Sequence, residues 1–188
     1  SDAVERLKIQ YGTSFCYPVS SMGAHVSAVP NHQVNRVTPL YTRANVAFFG
    51  AFGYELDLGR LTEEERSQVR EQIAFMKEYR EVLQFGDFYR LLSPFEGNIT
   101  AWMVVSPDRR TALAGWYRTL NEVNGPFRRM KLRGLDPALD YTVNGCSVHG
   151  GDELMEVGLL TTDSAAGECQ AGERPTCDFD SRVYVLQA

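Results

Sequence analysis

The chain has 188 residues, 44% of them hydrophobic and 23% charged, a balance that supports one domain or two small ones with real cores. Its formal net charge of −5 argues against docking on a phosphate backbone, which needs a basic face. No run reaches the roughly 20 apolar residues of a membrane-spanning helix, and the opening residues lack the pattern of a basic-then-apolar leader.

Ser1-Asp2-Ala3-Val4-Glu5-Arg6-Leu7 runs straight into helical periodicity with no initiator Met. It reads as a cut into a longer structure, with removal of a Met before Ser as the alternative. Val4, Leu7 and Tyr11 predict a short helix over 2–12. Met22 to Val29 is small and largely apolar and is closed by Pro30, as a buried strand of a parallel sheet would be. Asn31 to Leu40 is polar and reads as a loop. Residues 40–50 predict a second helix, apolar at Leu40, Ala44, Ala47 and Phe48, and Phe52 to Asp57 a short strand. Thr62 and Glu65 form a capping box, with Glu63 and Glu64 in the same solvated first turn. Val69, Ile73, Met76, Tyr79 and Leu83 then mark one apolar stripe, and Gly86 stops the helix.

After Gly86 the character changes. Short apolar or alternating runs appear at Phe88–Leu92, Ala101–Val105, Ala112–Tyr117, Arg129–Leu132, Tyr141–Val143, Leu154–Leu159 and Val183–Leu186. Turn signals divide them, among them Ser93-Pro94, Ser106-Pro107-Asp108, Asn124-Gly125-Pro126 and Asp136-Pro137. This spacing predicts an antiparallel β-sandwich. The expected fold is thus α/β over 1–86 followed by all-β over 87–188. A closed (β/α)8 barrel needs about 200 residues, so the first part supplies only its closing strands and helices. Such a sector would expose apolar faces that further strands normally cover.

The four cysteines match no zinc ribbon or redox pair. Cys16 and Cys146 sit in apolar stretches and are expected as buried thiols. Cys169 and Cys177 flank a Gly/Pro loop and could pair across it.

Several blocks resemble family 36 of the glycoside hydrolases, the microbial α-galactosidases. They are Asp2 to Gly12, Met22 to Gln33, Phe52 to Leu58, Phe88 to Phe95 and Gly134 to Pro137, in the family's order. Thr161 to Asp180 fits no pattern of the family and reads as an insertion loop. The resemblance implies the C-terminal part of the enzyme: 1–86 as the end of a (β/α)8 catalytic TIM barrel, 87–188 as an antiparallel β-sandwich domain. It implies removal of terminal α-1,6-galactose from melibiose and raffinose-type oligosaccharides with retention, no cofactor and no metal. It further implies a homo-oligomer and a bacterial cytoplasmic setting.

Retention needs two carboxyl groups about 5–5.5 Å apart, one attacking the anomeric carbon and one protonating the leaving oxygen. By the resemblance the nucleophile lies well upstream. The acid/base belongs to a Ser-Asp-Asp-(Thr/Ser)-Asp stretch whose final pair is Ser1-Asp2, putting it about two positions before Ser1. A shifted register would make Asp2 that catalytic residue, against its reading as a helix cap.

His25 lies within an apolar strand, where it is either a core histidine or a substrate contact. Asn31 and His32 follow that strand's end, where barrel sites are built, and could reach sugar hydroxyls or stabilise the loop. Glu55 and Asp57, two apart on a strand, would share a face. The family does not use them catalytically, and Arg36 and Arg43 could pair with them. Trp102 and Trp116 are expected in the core, with a sugar-stacking platform as the alternative. Asn98-Ile99-Thr100 is a sequon only in a secreted eukaryotic protein. Against the hydrolase reading stands a second one: a carbohydrate-binding or oligomerisation β module with no catalysis.

Overall fold

Asp2 starts the chain's first helix, α1 (Ala3–Thr13). Its Oδ2 accepts the backbone N–H groups of Val4 (3.0 Å) and Glu5 (3.1 Å), two donors that the first helical turn cannot pair internally. The computed structural model describes residues 1–123, 126–161 and 178–188 and divides into two compact units, Ser1–Phe85 and Gly86–Ala188.

In the first unit, α1 is followed by strand β1 (Gly23–Ser27), helix α2 (Leu40–Ala47), strand β2 (Ala51–Glu55) and helix α3 (Glu63–Phe85). The two strands pair in parallel, with His25 opposite Gly53 and Ser27 opposite Glu55. Along β1 the side chains alternate: Ala24 and Val26 are fully buried, while Gly23, His25 and Ser27 lie on the open face. Passing from one parallel strand to the next requires a long crossover, usually helical, and α2 lies within it. Close packing at its end is sterically tuned, since a Cβ on Gly50 would fall 2.5 Å from that of Ala24. An aromatic chain then links the elements: Phe48 meets Phe52 at 5.1 Å and Phe75 at 4.8 Å, and Phe75 meets Tyr79 at 4.9 Å.

The capping box of α3 is reciprocal, with Glu65 N donating to Thr62 Oγ1 (3.2 Å) and Thr62 N to Glu65 Oε2 (2.9 Å). Of its apolar stripe, Val69, Met76 and Leu83 are buried and Ile73 is exposed. Helix α2 stops at Ala47, shorter than periodicity predicts, and Phe48 and Phe49 are buried beyond its end. Polar groups are also buried here. Gln10 Nε2 donates to both Val46 O and Phe49 O at 3.0 Å, satisfying carbonyls that the end of α2 leaves open.

The second unit contains β3 (Asp87–Leu92), β4 (Ile99–Val105), β5 (Thr111–Arg118), β6 (Arg129–Met130), β7 (Asp140–Val143), β8 (Ser147–Gly150), helix α4 (Gly151–Glu156), β9 (Leu159–Leu160) and β10 (Asp180–Gln187). Among the described residues, the sandwich expected from sequence is one six-stranded antiparallel sheet in the order β3-β4-β5-β10-β7-β8, with a two-stranded β6-β9 ribbon. The last strand sits centrally, paired along all eight residues with β5. One sheet face, carrying Met103, Ala114, Trp116, Tyr141 and Tyr184, forms a core with Met130, Leu132, Leu135, Leu154 and Leu159. Trp102 is also fully buried, 4.9 Å from Tyr117 and 6.2 Å from Phe88.

Three expectations are corrected. The apolar run Leu154–Leu159 is not one strand: α4 occupies its first half, and Gly158, at φ 93°, ends the helix. Its N–H and that of Val157 both reach Glu153 O, the closure a left-handed residue provides. Cys16 and Cys146 are exposed. Cys16 lies in the turn after α1, between exposed Phe15 and Tyr17. Cys146 lies in the β7–β8 turn, after left-handed Asn144 and Gly145. Apolar neighbours in sequence do not bury a side chain that sits on a turn. The Cys169–Cys177 pairing and most of the expected insertion loop fall outside the described residues, as do Asn124 and Gly125.

Candidate functional site

Several polar residues of the first unit meet around the C-terminal ends of β1 and β2. Ser1 lies over both ends: its carbonyl accepts from Ser27 Oγ at 2.9 Å, and its nitrogen is 3.9 Å from Glu55 Oε2. Arg6 donates to Ser1 Oγ (2.7 Å) and to the Gly23 carbonyl. Burial lowers the Arg6 pKa, and the Glu55 carboxylate opposes that shift. Arg43 is 5% exposed, donates to Ser27 O at 2.6 Å and has an Nε without a hydrogen-bond partner. Burial lowers its pKa too, with the charge of Glu65 acting the other way.

Asp2 is 4% exposed. The oxygen that caps α1 also takes the guanidinium of Arg36, so three donors converge on it. Arg36 reaches there from the loop after β1, and its Nη1 also lies 3.9 Å from Glu5. Arg36 therefore holds Asp2, and Arg43 holds a backbone carbonyl. A partner 34 residues away in a loop leaves no periodic signal that sequence reading could have used.

Asn31 is buried and organises that loop. Its Oδ1 accepts from Gln33 N (3.0 Å) and Val34 N (3.2 Å), its own N–H donates to Arg36 O, and its carbonyl accepts from Asn35 N. His32 is exposed. His25 is on the open face with its side chain 45% exposed, Nδ1 3.9 Å from Glu55 Oε2. It is therefore not a core histidine. Glu55 and Asp57 do not form a shared pair: β2 ends at Glu55, and Asp57 caps the next turn through Gly59 N (2.9 Å) and meets Arg60.

Electrostatically, the accessible carboxylate of Glu55 stands beside His25 and that of Glu5 beside Arg36, with Asp2 committed to its donors. Among the described residues no cluster of His, Cys, Asp or Glu has the makings of a metal site, and no helix is long and apolar enough to cross a membrane. In the second unit Trp102 and Trp116 are 0% and 2% exposed, which removes them as stacking platforms for a sugar, since stacking needs an open ring face.

A parallel strand-helix-strand sector with polar groups at its C-terminal ends, followed by an antiparallel β domain, is the class of architecture found in barrel hydrolases with an appended β domain. The comparisons with known proteins agree. The family model described as Melibiase matches residues 1–86, and that described as Glycosyl hydrolase family 36 C-terminal domain matches residues 99–186. Alpha-galactosidase AgaA of Geobacillus stearothermophilus is 59% identical over 159 residues, 85% of this chain and 22% of its own length. The bifunctional alpha-galactosidase/sucrose kinase AgaSK of Mediterraneibacter gnavus is 46% identical over 160 residues, 85% of this chain and 17% of its own. A crystal structure of AgaA in complex with raffinose superposes with a TM-score of 0.91 at 52% identity, covering 99% of this chain and 24% of that one.

The chain belongs to the family 36 α-galactosidases and corresponds to their C-terminal part. It spans about a quarter or less of the length of these relatives.

Proposed function

We propose that this chain is the C-terminal part of a retaining α-galactosidase that hydrolyses terminal α-1,6-galactosides such as melibiose and raffinose. In this reading residues 1–86 are the closing section of a (β/α)8 catalytic barrel and residues 87–188 its antiparallel β domain. The observation that carries it is the likeness over 99% of the chain to an enzyme crystallised with raffinose. The acid/base carboxylate lies about two residues before Ser1 and the nucleophile further upstream, so the 188 residues alone do not hydrolyse. The geometry supports this division: Asp2 is spent on a helix cap and an ion pair. An acid bound in that way is not free to act as the second carboxyl group that retention requires.

His25, on the open face beside Glu55, and exposed His32 are the residues of this chain that the reading turns toward substrate. Asn31 acts one step back, by shaping the loop. The β domain contributes to a homo-oligomer, and the setting is the bacterial cytoplasm. The test compares the full protein encoded by the gene with the 188-residue chain on melibiose and on p-nitrophenyl α-galactoside. Turnover by the full protein and none by the chain is expected. Turnover by the chain alone would overturn the assignment of the acids to the upstream part.

A further inference from the structure

We infer that Arg36 is a positioning residue for this hydrolysis, gripping Asp2 so as to aim the backbone that carries the acid/base carboxylate. The inference rests on the functional reading above and concerns how its site is held.

A helix cap does not require a guanidinium. Asp2 Oδ2 already accepts two N–H groups of α1, which is what a capping side chain supplies. The ion pair with Arg36 adds a tie from the cap to the loop that follows β1. That loop is itself fixed, because Arg36 O accepts from Asn31 N at 2.9 Å and Asn31 Oδ1 closes the turn onto Gln33 and Val34. Asn35 holds a left-handed conformation, φ 52°, with its N–H on Asn31 O at 2.8 Å. A second tie runs through neighbouring atoms: Arg43 holds Ser27 O, and Ser27 Oγ holds Ser1 O. Residues 1 and 2 are thus pinned over the strand ends from two directions, one neutral and one charged.

The step at stake is protonation. The acid gives its proton to the glycosidic oxygen as the bond from that oxygen to the anomeric carbon breaks, while the other carboxylate bonds to the same carbon. The resulting carboxylate later takes a proton from the water that frees the galactose. A displacement of about 1 Å in such a group costs on the order of 10²-fold in rate. It costs most where the departing group needs the proton.

The full encoded protein is assayed as wild type, Arg36→Gln and Arg36→Lys. One substrate is raffinose, whose sugar leaving group requires protonation, and the other is 2,4-dinitrophenyl α-galactoside, whose phenolate departs unaided. Arg36→Gln is expected to lower kcat/KM, which reports the glycosylation step and not the base-assisted hydrolysis shared by both substrates, by about 10²-fold on raffinose and by less than about 3-fold on the dinitrophenyl substrate. Arg36→Lys, which keeps the charge, is expected to show the same selectivity with a loss of about 10-fold. Equal losses on both substrates in Arg36→Lys, or none on either, overturn the clamp, however the Gln variant folds. A wild type inactive on both substrates overturns the functional reading and the clamp with it, a failure recognisable before any variant is made.

Discussion

The two units bury their charged groups in different settings: against backbone in the first, and as an Arg118–Asp180 ion pair at 3.7 Å in the second. In Ser1–Phe85 the interior contains Asp2, Arg6, Gln10, Asn31 and Arg43, most of them bonded to backbone at a strand or helix end. In Gly86–Ala188 the main core is built from Met, Ala, Leu, Val and aromatic side chains on one sheet face. Apolar burial is strong and directionless, whereas a buried hydrogen-bonded group is worth less net but dictates position. In the first unit the buried polar groups therefore fix strand and helix ends, while in the second the apolar sheet face carries the main core.

The contrast breaks most easily in the second unit. Trp116→Ala there removes a side chain that is 2% exposed and is expected to cost about 3–5 kcal/mol. Urea unfolding followed by circular dichroism would measure it, and a loss below about 1 kcal/mol would mean that the sheet face is not the source of stability. A smaller effect, local to the first unit, should follow Gln10→Leu, which keeps volume but leaves the Val46 and Phe49 carbonyls without their donor. About 1–3 kcal/mol is expected, seen by native-state hydrogen exchange as faster exchange in α1 and α2 with little change in β4 and β5.

The smallest effect is alkaline. Burial pushes the Tyr54 hydroxyl up to about 12, and that hydroxyl donates to Gln72 Oε1 at 2.8 Å. A folded-state value above the unfolded one near 10 gives stability that is full below pH 10 and declines toward pH 12. Tyr54→Phe should flatten part of that decline. An unchanged slope, read from stability curves and tyrosinate absorbance, would contradict the burial argument. Tyr79 and Tyr117 are shifted in the same direction and would carry the remainder.

What was legible in sequence was local. The capping box and stripe of α3, the helical spacing of α1 and the runs that became β4, β5 and β10 all depend on neighbours within a few residues. Pairings across long separations were not legible. Nothing in Asp180–Gln187 says that it lies between β5 and β7, and nothing in Arg36 says that its partner is Asp2. Glu55 and Asp57 misled because strand alternation was carried two residues past the end of β2. The Leu154–Leu159 run misled because α4 has only six residues, too few for periodicity to declare itself.

The imidazole of His25 rests over two residues that have no side chains. A methyl group on Gly53 would stand 3.2 Å from its Cδ2, and one on Gly23 3.6 Å from its Cε1. The ring therefore lies close against bare backbone at both glycines. Adding one carbon at position 53 would press on the ring, which would have to give by a few tenths of an ångström, while position 23 would make only ordinary contact. The room beside an exposed imidazole on the open face of β1 is thus set by hydrogens on its glycine neighbours.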